Sequence, residues 1–483
     1  MGERPTARSP RLVLGTLAHG FPLWPGRLTL NAEQLATHKH LIGVSGVGKS
    51  MLMESLWLAL WRQGIGASFV DPHADAVESI LALLTQSGAL QRSAALDRLL
   101  YVEFLEDDDW VLPFNVLRQP FLRPHAIAAN VLEAMHRAWP ALGEGAAPQF
   151  DNLVLAGTLV LIENAQPLPA LHRLLTDRSF RDALLGHMDH TREGDTVAFF
   201  RDRFDRWSAT EAPQMIESTL RRLYLLTFSP LLKHALSSKA NVLDFRRIID
   251  RGQSVLFNLG RIQSHDVRRL LGCLITIGYE TAALSRGPGD PRRQHHLLLD
   301  EFADYSAQSE EALSRMLSAT RKFGLFTTMA HQTWSQASAR LHGALQNVGV
   351  QIAMRVGRSD AEILAKTLGT VDPLAIKSEA LTERSQPVFM ELGSQWEQWI
   401  QTLVDLPVRH ALVRVGNRKT VEIRTLTVPS PKLGTPAVEA VKAEYRRRLM
   451  RPRSEAPWRS PAPAERVRIQ RAVPLRDGDE NAS

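Results

Sequence analysis

The chain has 483 residues, 44% of them hydrophobic and 23% charged, with a formal net charge of +7. This balance excludes a wholly disordered or fibrous chain, and one cysteine, Cys273, excludes an intramolecular disulfide framework. The longest apolar run, residues 153–162, is half the roughly twenty that a membrane helix needs, and the N-terminus lacks a signal-peptide core. A cytoplasmic chain without its own anchor is expected.

The charge is unevenly placed. Residues 431–483 hold twelve Lys/Arg and seven Asp/Glu, a balance of +5, which leaves +2 for the first 430. The body is therefore close to neutral, and the high pI alone does not argue for a polyanionic partner.

Residues 11–30 carry short apolar stretches broken by Gly15, Gly20, Pro22, Pro25 and Gly26, which predicts strands and turns. Leu41 and Ile42 then read as the end of a buried strand. It runs into Gly43, Val44, Ser45, Gly46, Val47, Gly48, Lys49, Ser50 and Met51, in which Gly43, Gly48, Lys49 and Ser50 fit G-x-x-x-x-G-K-[ST]. A loop wrapping a polyphosphate needs backbone angles and close approaches that a Cβ would block, and its amides then point at the anion. Lys49 adds a charge for the outer phosphates, Ser50 a hydroxyl for Mg²⁺, and the helix begun by Leu52, Leu56, Ala59 and Leu60 its positive end.

A second strand, residues 67–70, delivers Asp71, His73 and Asp75 to its carboxyl end. They read either as contacts to nucleotide, metal or a neighbouring subunit, or as a polar turn capping the next helix. A third strand is expected at 99–104. From about 119 to 243 the spacing turns helical, with stretches at 123–139, 151–164, 168–175, 180–187, 195–207 and 213–228. The arginines there (Arg201, Arg203, Arg206, Arg221, Arg222) alternate with acids, the pattern of a solvated face.

Strand character returns at 254–260, followed by a long apolar helix over 267–284 and a Gly/Pro break at 287–291. His296 to Leu299 form an apolar strand ending in Asp300 and Glu301. An aspartate there can hold Mg²⁺ beside Ser50, and Glu301 can act as general base on the attacking water. The strand 325–331 delivers the neutral amide of Gln332 to the same edge, and 350–357 is a further strand leading into an amphipathic helix. Past residue 428 the chain is rich in Pro and Arg, with a short helix at 442–450 and a flexible remainder.

These elements make an α/β fold, a P-loop NTPase (RecA-like) core of parallel sheet with helices on both faces. The expected division is 1–118, an N-terminal β element and the first part of the core; 119–243, an all-α insertion; 244–430, the second part; and 431–483, a disordered basic tail.

The order phosphate loop, D-P-H-x-D, helical insertion, L-L-L-D-E-F, R-K-F-G-L, A-H-Q and an I-x-x-R-V strand resembles the HerA/FtsK superfamily of ring ATPases. It is most similar to the TraD/TraG-like DNA-binding ATPase domain of type IV secretion coupling proteins, from about Arg11 to Pro429. The resemblance implies ATP and Mg²⁺ as ligands, with Lys49 and Ser50 on phosphate and metal, Asp300 and Glu301 as the Walker B pair, and Gln332 as sensor. Arg321, eleven residues before Gln332, would be an arginine finger acting on a neighbouring subunit. It also implies a hexamer, DNA held mainly through its backbone, and type IV secretion or relaxase partners. Two features depart from the pattern: the lack of transmembrane helices, and Val-Ser-Gly-Val in the middle of the loop. An ATPase assembling a secretion machine from protein subunits and a nucleotide-dependent scaffold are the alternatives.

Overall fold

The central strands are apolar on both faces, as a sheet covered by helices on either side requires. The computed structural model describes residues 9–19, 26–106, 109–139, 148–189, 191, 193–208, 210–303, 316–334, 339–374, 376–380 and 386–454. Eleven strands form one sheet: β1 (Leu12–Leu17), β2 (Arg27–Leu30), β3 (Lys39–Ile42), β4 (Gly66–Asp71), β5 (Leu99–Glu103), β6 (Ser254–Asn258), β7 (His295–Leu299), β8 (Leu325–His331), β9 (Val350–Ala353), β10 (His410–Val415) and β11 (Val421–Thr425). Their order is β2-β1-β11-β10-β9-β3-β8-β7-β4-β6-β5. From β9 to β5 every pairing is parallel, and from β2 to β9 every pairing is antiparallel.

Neighbouring residues of a strand enter different cores, as the two-residue period demands. Leu41, Phe69, Leu298 and Ala330 face one apolar cluster, whereas Ile42, Val70, Leu299 and Met329 face the other. The first is covered by α1 (Lys49–Arg62) and α2 (Asp75–Gln86). The second is covered by α3 (Pro124–Ala138), α4 (His265–Leu284), α5 (Arg358–Leu368) and α6 (Leu392–Asp405).

The helical stretch leaves the core beside Phe114 and returns beside Asn241, where the two residues form an antiparallel bridge. Between them run α3 and the helices Pro148–Glu163, Ala170–Thr176, Arg178–Leu185, Glu211–Phe228 and Pro230–Leu236. These helices share the apolar core of the sheet: α3 packs on α4, and the buried Arg137 bonds Glu280 there at 3.1 Å. Arg206 and Arg221 pair with Asp202 and Glu217 one turn back on exposed surface. Cys273 is buried on α4.

Two stretches differ from the sequence-based expectation. The hairpin β10–β11, which carries the sheet on to β1, was not foreseen. In the segment from 431, assigned to a flexible tail apart from a short helix at 442–450, the helix begins earlier and is docked on the core: α7 (Pro436–Leu449) is capped by the Thr435 side chain and Pro436. Val438 and Tyr445 are buried under it, Lys442 Nζ lies 2.6 Å from Glu78, and Arg446 bonds Glu103 at 3.3 Å. The rest of the expected tail, residues 455–483, lies outside the described residues, as do residues 20–25 of the first β element. No helix among the described residues is long and apolar enough to cross a membrane.

Candidate active site

Three strand ends converge on the phosphate loop. Ile42 lies in register with His331 on one side and Ala353 on the other, so the chain leaves β3 between the ends of β8 and β9. Gly43 N–H donates to His331 O at 3.3 Å and Val44 N–H to Arg355 O at 2.9 Å, which seats the start of the loop. A Cβ on Gly43 would stand 2.8 Å from Met354 Cβ. Gly46 and Gly48 have φ of +78° and +104°, angles that glycine adopts without steric cost. The loop then becomes α1, whose first residues are Lys49, Ser50 and Met51.

Lys49 is buried, and its ammonium donates to the carbonyls of Gly43 (2.6 Å) and Val44 (3.0 Å). Burial lowers its pKa, while Glu301 and Asp300 pull the other way. The acid pair follows β7, which is separated from β3 by β8 alone. Asp300 N–H bonds Val70 O at 3.2 Å and Phe302 N–H bonds Ala330 O at 3.0 Å, so the turn is pinned to strands on both sides. Ser50 Oγ donates to Asp300 Oδ2 at 3.3 Å, which brings together residues 250 positions apart. Gln332 Nε2 donates to Glu301 Oε1 at 2.7 Å, and Glu301 itself sits at φ +47°, an uncommon angle for a side-chain-bearing residue.

Asp300 is buried, and its pKa rises to about 6, first through desolvation and then through the nearby charges of Asp71 and Glu301. A hard divalent cation between the Ser50 hydroxyl and this carboxylate would relieve that unfavourable charge. Among the described residues no three His, Cys, Asp or Glu side chains converge as a metal site. A two-ligand site completed by phosphate and water is the arrangement Mg²⁺ ordinarily takes in nucleotide enzymes. The positive-φ glycines, the desolvated lysine and this oxygen pair fit a magnesium nucleotide.

Arg321 is not part of this cluster. It lies in the turn Thr320–Phe323 ahead of β8, at the opposite edge of the sheet from Gln332. The seven residues of β8 alone separate the two edges by roughly 20 Å. Its side chain is exposed. Asp71 takes the capping role: its carboxylate accepts the amides of His73, Ala74, Ala76 and Val77 at 2.8–3.1 Å. His73 and Asp75 are exposed beside it.

Two further contributors escaped the sequence reading. His40 on β3 and His331 on β8 are buried with their Nε2 atoms 2.6 Å apart, and His331 Nδ1 bonds Thr333 O at 2.9 Å. Burial lowers both pKa values, that of His331 to about 4, so both rings are neutral at pH 7. His331 then donates from Nδ1 and accepts at Nε2 from His40, which fixes the turn that carries Gln332. A histidine on each of two adjacent apolar strands was the available signal. The other contributor is Arg409, at the start of β10, whose amide donates to Val47 O of the loop at 2.9 Å.

No family model matches the sequence, and no curated protein matches it. Solved structures do. The plasmid coupling protein TrwB in complex with ADP and Mg²⁺ superposes with a TM-score of 0.55 at 18% identity, over 90% of this chain and 99% of that one. The unbound bacterial conjugative coupling protein TrwBdeltaN70 gives 0.52 at 17%, over 83% and 87%. VirB4 of Thermoanaerobacter pseudethanolicus gives 0.53 at 14%, over 86% and 96%. The chain has the fold of these proteins, a mostly parallel P-loop sheet flanked by helices.

Proposed function

We propose that the chain is an ATP hydrolase that works as a ring and drives DNA, in the manner of conjugative coupling proteins. The observation that carries the reading is the meeting of the loop with the acid pair: Ser50 Oγ 3.3 Å from Asp300, and Glu301 held by Gln332 at 2.7 Å. Lys49 and the loop amides of Gly46 to Ser50 bind the phosphates, and Ser50 and Asp300 hold Mg²⁺. When bound, Mg²⁺ supplies positive charge against the phosphate oxygens. Glu301 takes the proton of the attacking water, and Gln332 fixes the carboxylate that does so.

Arg321 stands too far from this chain's own loop to act there. A finger role therefore requires a second copy whose loop faces that edge, and ring assembly would then switch on hydrolysis. TrwB in complex with ADP and Mg²⁺ shares the fold and supports the nucleotide part of the reading. DNA is the cargo that the coupling-protein likeness favours, held through its backbone and so without marked sequence preference.

The test is ATP turnover with and without DNA across a salt series, beside Lys49→Ala. Stimulation by DNA that fades with salt is expected, and Lys49→Ala should be inactive. Turnover indifferent to DNA would replace the cargo by protein. A parent chain that binds ATP without turnover would make it a scaffold.

A further inference from the structure

Arg409 has a φ of +68°, a left-handed conformation that a residue with a Cβ keeps only where its surroundings hold it. Its backbone bridges two parts of the fold. The N–H donates to Val47 O in the phosphate loop (2.9 Å), and the carbonyl accepts from Thr425 N–H at the end of β11 (2.8 Å). The base of its side chain touches the loop, with Cγ 3.2 Å from where a Cβ on Gly48 would stand. A side chain at position 48 would press on the arginine stem, so the glycine serves the arginine as well as the phosphate cradle.

Among the described residues the guanidinium has only neutral partners. Nη2 donates to Thr425 O at 3.0 Å and to Thr427 Oγ1, while Nε is buried without a hydrogen-bond partner. A permanently charged group on a residue whose amide and stem touch the anion cradle, strained in its backbone and left with neutral acceptors, is within reach of a stronger acceptor.

We propose that Arg409 is a second phosphate-binding cation of the nucleotide site, brought to the loop from 360 positions beyond Lys49 by the start of β10. On nucleotide binding the guanidinium exchanges Thr427 Oγ1 for a phosphate oxygen, while the Arg409 amide keeps its bond to Val47. The inference rests on the nucleotide reading above and extends it to the antiparallel half of the sheet.

The test is calorimetric binding of Mg-ADP and a non-hydrolysable ATP analogue to the full chain. Arg409→Gly removes the guanidinium and suits φ +68°, so the fold is retained. Arg409→Gln keeps the stem and removes only the charge. Both should lose about ten- to hundredfold in affinity for either nucleotide, the range for a charge-assisted hydrogen bond. Thr427→Val, which removes the neutral acceptor, should bind as tightly as the parent or tighter. Parent-like affinity in Arg409→Gly or Arg409→Gln overturns the proposal. So does a loss in Thr427→Val equal to theirs, which would make Arg409 a brace for β11. If the parent itself binds neither nucleotide, the ATPase reading fails instead.

Discussion

At the carboxyl ends of β3, β7 and β8 the polar groups are joined to one another: Ser50 to Asp300, Gln332 to Glu301, His40 to His331. At the opposite ends of the same strands the charges are left over. Asp250 and Asp290 are taken by Arg246 and Arg286, while among the described residues Arg292 and Arg293 bond only the carbonyls of Lys322 and Arg251. Arg321 stands exposed among them. One edge is a site that a single chain assembles, and the other is cationic surface whose use, on the present account, needs a second molecule. In the proposed ring, chemistry that must run only after assembly would gain from that division, because binding would belong to one chain and completion of the site to two.

Arg321→Ala tests the division hardest. Turnover should fall by about 10³-fold or more, the range for an arginine supplied in trans, with nucleotide affinity unchanged. Mixing Arg321→Ala with Glu301→Gln subunits should restore part of the activity, measured as phosphate release. Mixed assemblies that stay inactive would remove the trans assignment. Glu301→Gln alone should lower turnover by about 10²–10⁴-fold while binding Mg-ATP like the parent. Retained turnover would rule out a proton-accepting role for Glu301.

Asp300→Asn separates stability from function. The folded carboxyl titrates near 6, above its ordinary value of 3.8, so its contribution to stability is full below about pH 4 and is lost as pH rises through 6. In metal-free protein at pH 8 the asparagine should raise stability by up to about 3 kcal/mol, with no gain below pH 4, while Mg²⁺-dependent turnover disappears. Denaturant melts at the two pH values check this, and equal effects at both would contradict the burial argument. His40→Leu should have the smallest effect. It leaves the His331 Nε2 acceptor buried and unpaired, at a cost of about 1–3 kcal/mol, and should lower turnover less than tenfold.

The legible parts were those written in short contiguous runs. Gly43 to Ser50 and Leu297 to Glu301 each carry their strand, turn and chemistry within a dozen residues, so loop and acids could be read before any contact between them was known. The parallel strands were legible because burial on both faces makes them continuously apolar. The β10–β11 hairpin was not, since Arg414, Glu422 and Arg424 dilute an outer antiparallel pair until it resembles loop. The helix α7 was expected at 442–450, but its earlier start and its docking were hidden for a related reason. Arg446, Arg447 and Arg448 gave it a tail's composition, and the acids that dock Lys442 and Arg446, Glu78 and Glu103, lie more than 300 positions earlier. The His40–His331 pair depends on strand register, which no local pattern encodes.

The proposed site stands on a serine hydroxyl and a carboxylate sharing one metal. A double-mutant cycle of Ser50→Ala and Asp300→Ala, read as the gain in ATP affinity that Mg²⁺ confers, tests this directly. Strong coupling is expected: the double variant should lose little beyond either single one, with an interaction energy of about 1 kcal/mol or more. Losses that simply add would mean that the two groups do not meet on one ion, and the proposed site would fall with them.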